Sequence, residues 1–502
     1  MPSQNRGRPP LMLADAYLQW SMRLRTWLTA AVCRLALILP CLGGALLADA
    51  AQRPNIVFIL TDDQAPTAAG FAGNAELMTP HLDRLAQEGA VLTNAFVTTP
   101  VCSPSRAGLA VSRYGGELGI LDWINPNSEA ELGLDPQTVT WMEVLNGAGY
   151  RLGLFGKWHL GTQPRFHPTK MGYHEFAGIL EGGCKPIGAT IEAHGERVEN
   201  IGYTADVFTD YALDFIRREQ ESPFVCSLHF REPHAAWLPC PDEDWAPYKD
   251  LNPTLPEPDF PNLKVDHVRK MLREYYASVA GVDRNVGRVL ALLDELELSE
   301  NTLVVFTSDH GYHNGHHGLW FKGNAQWQTD PLPPQRCDNI PAKQRPNLYD
   351  QALRVPTVVR WPARIAAGRP MERCVTNLDW YPTLLAAAGV SCPSDFLIRG
   401  RNFLPLLEGS TVDWNDGFYA EYSMRHGAKT DMRAWRTPDW KLMIDFANPG
   451  RGELYDLAHD PGEVDNLFDS DRPEIRAVRD ELERALRSRM DEIGDFAAAA
   501  AN

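Results

Sequence analysis

The stretch Asn55–Asp63 reads NIVFILTDD, a near-continuous apolar, β-branched run that stops at two adjacent carboxylates. A strand with one solvated face alternates apolar and polar residues; this one does not, so Asn55–Leu60 is expected inside a sheet covered on both faces. The pattern recurs. Tyr150–Phe155 (YRLGLF) runs into GKWHLG at 156–161, Phe224–Phe230 (FVCSLHF) into Pro233-His234, and Thr302–Thr307 (TLVVFT) into SDHG at 308–311. Between these runs lie helical patterns: HLDRLAQEGA, with Leu82, Leu85 and Ala86 at helical spacing, and EYYASVAGVDRNVGRVLALLDELEL. Such alternation predicts an α/β fold, a large mostly parallel sheet sandwiched by helices. Ligands bind such sheets beyond the carboxyl ends of the strands, where all four runs deliver Asp, Lys or His.

From about residue 395 the texture changes to short aromatic strand candidates, GFYAEYSMR, RAWRTPDWKLMIDF and GELYDLAHDP. A final helix follows, with Ile475, Val478, Leu482, Leu486 and Met490 on one face. The expected division is a catalytic domain at 51–394 and a smaller C-terminal α+β domain at 395–502. Ahead of both, Arg23 and Arg25, an apolar run from Leu35 to Leu47 and Ala48-Asp49-Ala50 read as a signal peptide over 1–50, cleaved near Ala50. The expected destination is periplasmic or secreted. Arg34 and Pro40 interrupt the apolar run, which is short for a span, so no stable membrane anchor is expected.

The 502-residue chain carries a net charge of −17, and losing the leader removes five Arg but only two Asp. An acidic exterior argues against nucleic acid and anionic membranes as partners, so an anionic substrate must be drawn by a local cluster of cations. Of nine cysteines, Cys33 and Cys41 leave with the leader. Cys184, Cys226, Cys240, Cys337, Cys374 and Cys392 are an even set able to pair in an oxidising compartment, and none has the CxxC spacing of a structural zinc site.

Asp62, Asp63 and Asp309 would bring three carboxylates together, which calls for a cation. Oxygen ligands favour Ca2+ or Mg2+ over zinc, with His310 the softer neighbour. For either acidic pair alone, a helix cap or turn is an equal reading. Cys102 stands in TTPVCSPSRAGLAVSR (98–113), where Pro104 suits the first turn of a helix beginning near Ser103. Cys102 would then sit at an anion-friendly helix start, with Arg106 one turn on. A disulfide half or an inert core thiol needs neither. Lys157 and His159 flank Trp158, and in extended backbone both would face one side. His159 and His234 gain weight from their strand-end positions, while Lys322 in LWFKGN has the least support from spacing.

Together these residues resemble the formylglycine-dependent (type I) sulfatases of the alkaline-phosphatase superfamily. Cys102-Ser103-Pro104-Ser105-Arg106 matches the family's C-x-P-x-R signature, and the likeness runs through TDD at 61–63, GKWHLG, SDHG, HHGLW at 316–320, RVP at 354–356 and ELYDLAHDPGEVDNL at 453–467. The resemblance implies an alkaline-phosphatase-like fold and a sulfuric ester hydrolase acting on a sulfated carbohydrate or aryl sulfate. It implies that a formylglycine-generating (sulfatase-maturating) enzyme oxidises Cys102 to Cα-formylglycine, whose hydrate attacks sulfur. By the same likeness Asp62, Asp63, Asp309, His310 and residue 102 hold Ca2+, with Mg2+ the lesser alternative. Lys157 would hold a sulfate oxygen and Arg106 brace the hydrate. His234, helped by Lys322, would protonate the leaving alcohol, and His159 would take the proton that restores the aldehyde.

Two departures stand out. The family tail Leu-x-Thr-Gly-Arg reads Leu109-Ala110-Val111-Ser112-Arg113 here. The segment after Lys322 is also long and Pro-rich (323–347), with Trp327, Arg336, Lys343 and Arg345, and Asp350 stands where Glu is common. A structureless loop of that length is expected to be functional or disordered, and walling the leaving-group pocket is the favoured role. The competing readings are a phosphate ester hydrolase of the same superfamily and a binder of sulfated polysaccharide with an unmodified Cys102.

Overall fold

The strand Asn55–Thr61 is hydrogen-bonded on both sides by parallel neighbours, Phe224–His229 and Thr302–Ser308. In the computed structural model, residues 53–335 and 337–499 are described, so the leader reading and Arg336 lie outside the described residues. The unbroken apolar run has its expected cause. Ile56, Phe58 and Leu60 enter one core and Val57 and Ile59 a second, one on each face of the sheet.

Among the described residues ten strands form this sheet, and the central five, 302–308, 55–61, 224–229, 151–157 and 175–179, are parallel. Antiparallel pairings appear outside them, Val358–Arg360 beside Thr302–Ser308 and the hairpin Thr190–Ala193/Glu196–Glu199 at the far edge. The sheet is therefore mixed, with a parallel centre. Helices Pro80–Glu88, Thr204–Glu219 and Val265–Glu295 supply Leu82, Phe208 and Val286 to the Val57 face. Cys102–Val111, Trp141–Gly147 and Trp380–Ala387 supply Ala107, Leu145 and Leu384 to the other.

The C-terminal strands Phe418–Tyr422, Met432–Arg436, Trp440–Asp445 and Glu453–Asp456 form an antiparallel sheet. The helix Pro473–Ile493 buries Ile475, Leu482, Leu486 and Met490 against Leu442 and Leu454 of that sheet, with Val478 half-buried, as its periodicity requires.

Two expectations are corrected. The segment after Lys322 is not structureless: Asn324–Trp327 pairs with both Leu319–Trp320 and Gln344–Pro346 in a small antiparallel sheet. The six candidate cysteines do not pair. Each is a free thiol, and Cys226 and Cys374 lie in the cores of opposite sheet faces while Cys392 is exposed.

Candidate active site

Three of the five central strands hand over the polar side chains of the site as they end. Asp62 and Asp63 follow Thr61, Lys157 ends the strand Arg151–Lys157, and Asp309 and His310 follow Ser308. Asp63 has φ +68°, a left-handed turn that lets adjacent carboxylates converge instead of pointing to opposite sides. Tyr275 on the long helix donates to Asp63 O at 2.8 Å and accepts from Ala65 N at 2.8 Å, which pins that turn.

The helix Cys102–Val111 begins at the cysteine itself, one residue earlier than expected, after extended Val101. Its first turn is bolted to two strand ends. Arg106 Nε donates to Asp309 Oδ2 at 2.8 Å, an Arg106 amino group donates to Lys157 O at 2.9 Å, and Ser105 Oγ donates to Asp309 O. Cys102 Sγ consequently sits 3.1 Å from Lys322 Nζ, 3.4 Å from His310 Nε2 and 3.5 Å from Asp62 Oδ1. Lys157 pairs with the other Asp62 oxygen, and Lys322 with Asp63 Oδ1 at 2.5 Å.

Donor atoms of Asp62, Asp63, Cys102 and His310 lie within 4.8 Å of one another, a possible metal site. His310 Nδ1 lies 3.0 Å from Gly311 O, which fixes a proton on Nδ1 and turns Nε2 to the carboxylates. Asp309 spends one oxygen on Arg106, while its Oδ1 is buried with no hydrogen-bond partner.

Burial works against every charge here, and the neighbours decide the outcome. It would raise Asp62 and Asp63, but Lys157 for the first and Lys322 for the second, with His234 acting on both, hold them below the usual carboxylate range. Asp309 moves the other way, pushed up by burial and by Asp62. Burial and Asp62 would raise the Cys102 thiol, yet Lys157, Lys322 and His310 bring it down to about 6. Such a group is tuned for reaction, unlike Cys226, which burial pushes well above the usual thiol range.

Above the cluster opens a cavity of about 470 Å3 lined by Cys102, Lys322, His159 and His234, and by Trp123, Asn125, Asn127, Glu181 and Asn324. His159 arrives by a route the sequence did not indicate. Its φ is +60°, so it is not the alternate residue of a strand; Trp158 turns into the core, donating from Nε1 to Phe166 O at 2.8 Å. His159 Nε2 lies 3.0 Å from Ile124 O and therefore carries the proton, leaving the lone pair on the unpartnered Nδ1. Burial and Lys157 push its pKa well down, so the ring is neutral. His234 Nε2 lies 3.9 Å from Asp63 Oδ2 at the cavity rim.

Of the ten sequence candidates, Cys102, His159, His234 and Lys322 line this cavity, and Asp62, Asp63, Arg106, Lys157, Asp309 and His310 join them through the contacts above. The Pro-rich segment contributes less than expected. Asn324 lines the cavity, but Trp327 stacks on Phe260, Arg345 pairs with Glu453 at 2.8 Å, and Lys343 is exposed. Sequence reasoning missed Trp123, Asn125 and Asn127, which stand in no strand-end motif, and Glu181, which follows Glu175–Ile179, a strand not picked out from the sequence. It also missed Asn377, whose amide accepts from Thr98 N at 3.0 Å and donates to Ser105 O at 2.9 Å, buttressing the Cys102 helix from behind.

Buried carboxylates, cations and a cysteine with a lowered pKa beneath an open cavity suit the handling of an anionic ester. The comparisons narrow that class. The sequence model of the sulfatase family matches residues 54–390, and that of the N-sulphoglucosamine sulphohydrolase C-terminal region matches 344–492. The chain belongs to the sulfatase family and is a sulfuric ester hydrolase. It is 27% identical to the N-acetylglucosamine-6-O-sulfatase of Bacteroides thetaiotaomicron, covering 83% of each chain. It is 30% identical to the N-acetylgalactosamine-6-sulfatase of Canis lupus familiaris over 77% of this chain and 72% of that one. Among solved structures, BT4656 in complex with its substrate D-glucosamine-2-N,6-O-disulfate shares the fold, with TM-score 0.74, 24% identity and coverage of 88% of this chain and 99% of that chain. A putative sulfatase yidJ from Bacteroides fragilis matches with TM-score 0.75, 25% identity and coverage of 90% and 98%. The α/β architecture with a smaller C-terminal sheet is the one expected from sequence. Among the described residues no helix is long and apolar enough to cross a membrane.

Proposed function

We propose that the chain hydrolyses a sulfate monoester on a carbohydrate, with Cys102 converted to Cα-formylglycine by a maturating enzyme and with Ca2+ bound. The observation that carries this reading is the position of Cys102, within 3.5 Å of Lys322, His310 and Asp62 beneath a cavity of about 470 Å3, a volume suited to a small ligand such as a sulfated monosaccharide. Relatives named for sulfated amino sugars support the substrate class.

The donor set fits a hard cation: clustered carboxylate oxygens, a histidine nitrogen with its other nitrogen already bonded, and Oδ1 of Asp309, buried with no hydrogen bond and 3.3 Å from that histidine nitrogen. Asp62, Asp63, Asp309, His310 and residue 102 would hold it, and bound Ca2+ would offset charge on the sulfate oxygens. Formylglycine at 102 would supply an oxygen nucleophile together with an exit that serine or cysteine lacks.

The chain's own groups do the rest. Lys157 and Lys322 set positive charge against the sulfate oxygens in a site shielded from water. Arg106 positions residue 102 by locking the first helical turn onto Asp309 and the Lys157 carbonyl. His234 donates from Nδ1 to Ala235 O at 2.7 Å, which turns Nε2 toward the leaving alcohol; carrying a second proton on Nε2, the ring gives that proton to the alcohol and is left as the neutral Nδ1–H tautomer. Neutral His159, with its free Nδ1, is the base.

The reading includes a sulfatase domain at 51–394, a second domain at 395–502, and export after loss of 1–50, which N-terminal sequencing of the secreted or periplasmic protein checks. The central test is mass spectrometry of the Cys102 peptide from protein made with and without a formylglycine-generating enzyme, alongside sulfate release from sugar sulfates. An aldehyde with turnover supports the proposal; an intact thiol that still gives full turnover sinks it.

A further inference from the structure

Above its catalytic floor, the cavity has a wall of different chemistry. It is made by Trp123, Asn125, Asn127, Glu181 and Asn324, and none of these is a cation. Trp123 is a fixed plate. Its ring centroid lies 4.4 Å from that of His426, which is gripped from both sides, Nδ1 at 3.1 Å from Asp122 and Nε2 at 3.3 Å from Glu129. Asn324 Oδ1 is buried with no hydrogen-bond partner, a condition that calls for a donor from a ligand. Glu181 is exposed at the wall and makes no ion pair among the described residues. Lys322, the nearest lysine lining the cavity, is buried and committed to Asp63.

A sugar ring answers this wall well. Its C–H face stacks on an indole, and its hydroxyl or amino hydrogens find acceptors in Glu181 and Asn324. A second sulfate or a carboxylate on the same ring would find no cation there and would face the Glu181 carboxylate, a like-charge contact that rejects wrong partners. Resting on the carbohydrate sulfatase reading, we propose that Trp123 and Glu181 form the sugar-selecting wall of the cavity. They select a ring whose only anion is the sulfate being removed over one that carries a second anionic group.

The test uses matured full-length enzyme, regioisomeric monosulfated N-acetylhexosamines, their disulfated counterparts, and 4-nitrophenyl sulfate as a probe without a sugar. For each regioisomer cleaved, wild type is expected to favour the monosulfated sugar in kcat/KM by about tenfold or more. Glu181→Gln should shrink that ratio to within about threefold, and Glu181→Lys should reverse it. Trp123→Ala should raise KM for the sugar by about tenfold, more than it lowers kcat, and Trp123→Phe should restore most of the loss. Equal ratios in wild type and both Glu181 variants overturn the assignment. Cleavage of 4-nitrophenyl sulfate with no sugar sulfate cleaved overturns the sugar wall while sulfuric ester hydrolysis stands. No sulfate from any probe takes both readings down.

Discussion

Lys322 Nζ stands 2.5 Å from Asp63 Oδ1 and 3.1 Å from Cys102 Sγ, so one ammonium bridges the acidic cluster and the Cys102 thiol. Burial would lower its pKa, but Asp63 and Cys102 outweigh that and hold it charged. Lys322→Met keeps the stem and removes the charge. Activity is expected to fall by about 10²–10³. Breaking the buried pair should also cost about 3–5 kcal/mol of stability without metal. Ca2+, a substitute counter-charge for Asp63, should recover part of the stability and none of the activity. Kinetics and thermal melts with and without Ca2+ check this, and activity within threefold of wild type would refute it.

Asp62 and Asp63 are held ionised by Lys157 and Lys322, whereas Asp309 keeps a buried oxygen with no hydrogen bond, 3.3 Å from His310 Nε2. A cation binding only the folded chain stabilises it by mass action, about 2.7 kcal/mol at a free concentration of 100 times Kd. Ca2+ should therefore raise the melting temperature, a chelator should reverse the gain, and Asp309→Ala should lose the response. Identical melts in chelator and Ca2+ would count against the metal site.

Ser112 occupies the position where the family tail has glycine, and the reason for glycine is visible. The residue ends the Cys102 helix with φ +54° and ψ +43°, the left-handed region that costs a side chain energy. Serine compensates: Oγ donates to Leu378 O at 2.8 Å and accepts from Gly400 N at 2.8 Å. Ser112→Ala keeps the strain and strands both partners, so a loss of about 1–3 kcal/mol is expected. Ser112→Gly relieves the strain and should cost less. Denaturant unfolding of the two variants decides it, and the reverse order would reject the argument.

Legibility followed chain proximity to the strands. The run at Asn55, the strand-end carboxylates and the C-x-P-x-R turn were readable because period and local chemistry fix them. So was the last helix, whose apolar face is written at helical spacing. The His159 backbone was not readable: its positive φ comes from tertiary packing, with the ring pressed against Gly182. The hairpin in 323–347 was hidden because its strands are short and Pro-flanked, and their pairing partner Leu319–Trp320 lies in a preceding motif. The cavity wall was invisible for a third reason. Trp123 lies in a loop, Glu181 just past the strand Glu175–Ile179 and Asn324 at the start of the strand Asn324–Trp327, so they are distant in the chain and share no pattern.

Asp283 illustrates a charge buried for architecture. It belongs to the helix Val265–Glu295, yet its carboxylate accepts from the backbone of another helix, Leu82 N at 2.7 Å and His81 N at 3.1 Å. It caps Pro80–Glu88 in place of Thr79, whose hydroxyl is engaged with Gly70 N and Asp83. Burial pushes its pKa up to about 7, more than the two N–H donors pull it down. The sign follows from proton uptake. Between about pH 4 and 7 the folded state holds a proton the unfolded state has released, so stability falls as pH rises, by at most about 1.4 kcal/mol per unit. Asp283→Asn retains an acceptor for Leu82 N–H and removes the charge. The variant should match or trail wild type near pH 5 and exceed it near pH 8. Parallel stability profiles for the two proteins across that range would mean that Asp283 is already ionised in the fold and that its two N–H donors, rather than burial, set its state.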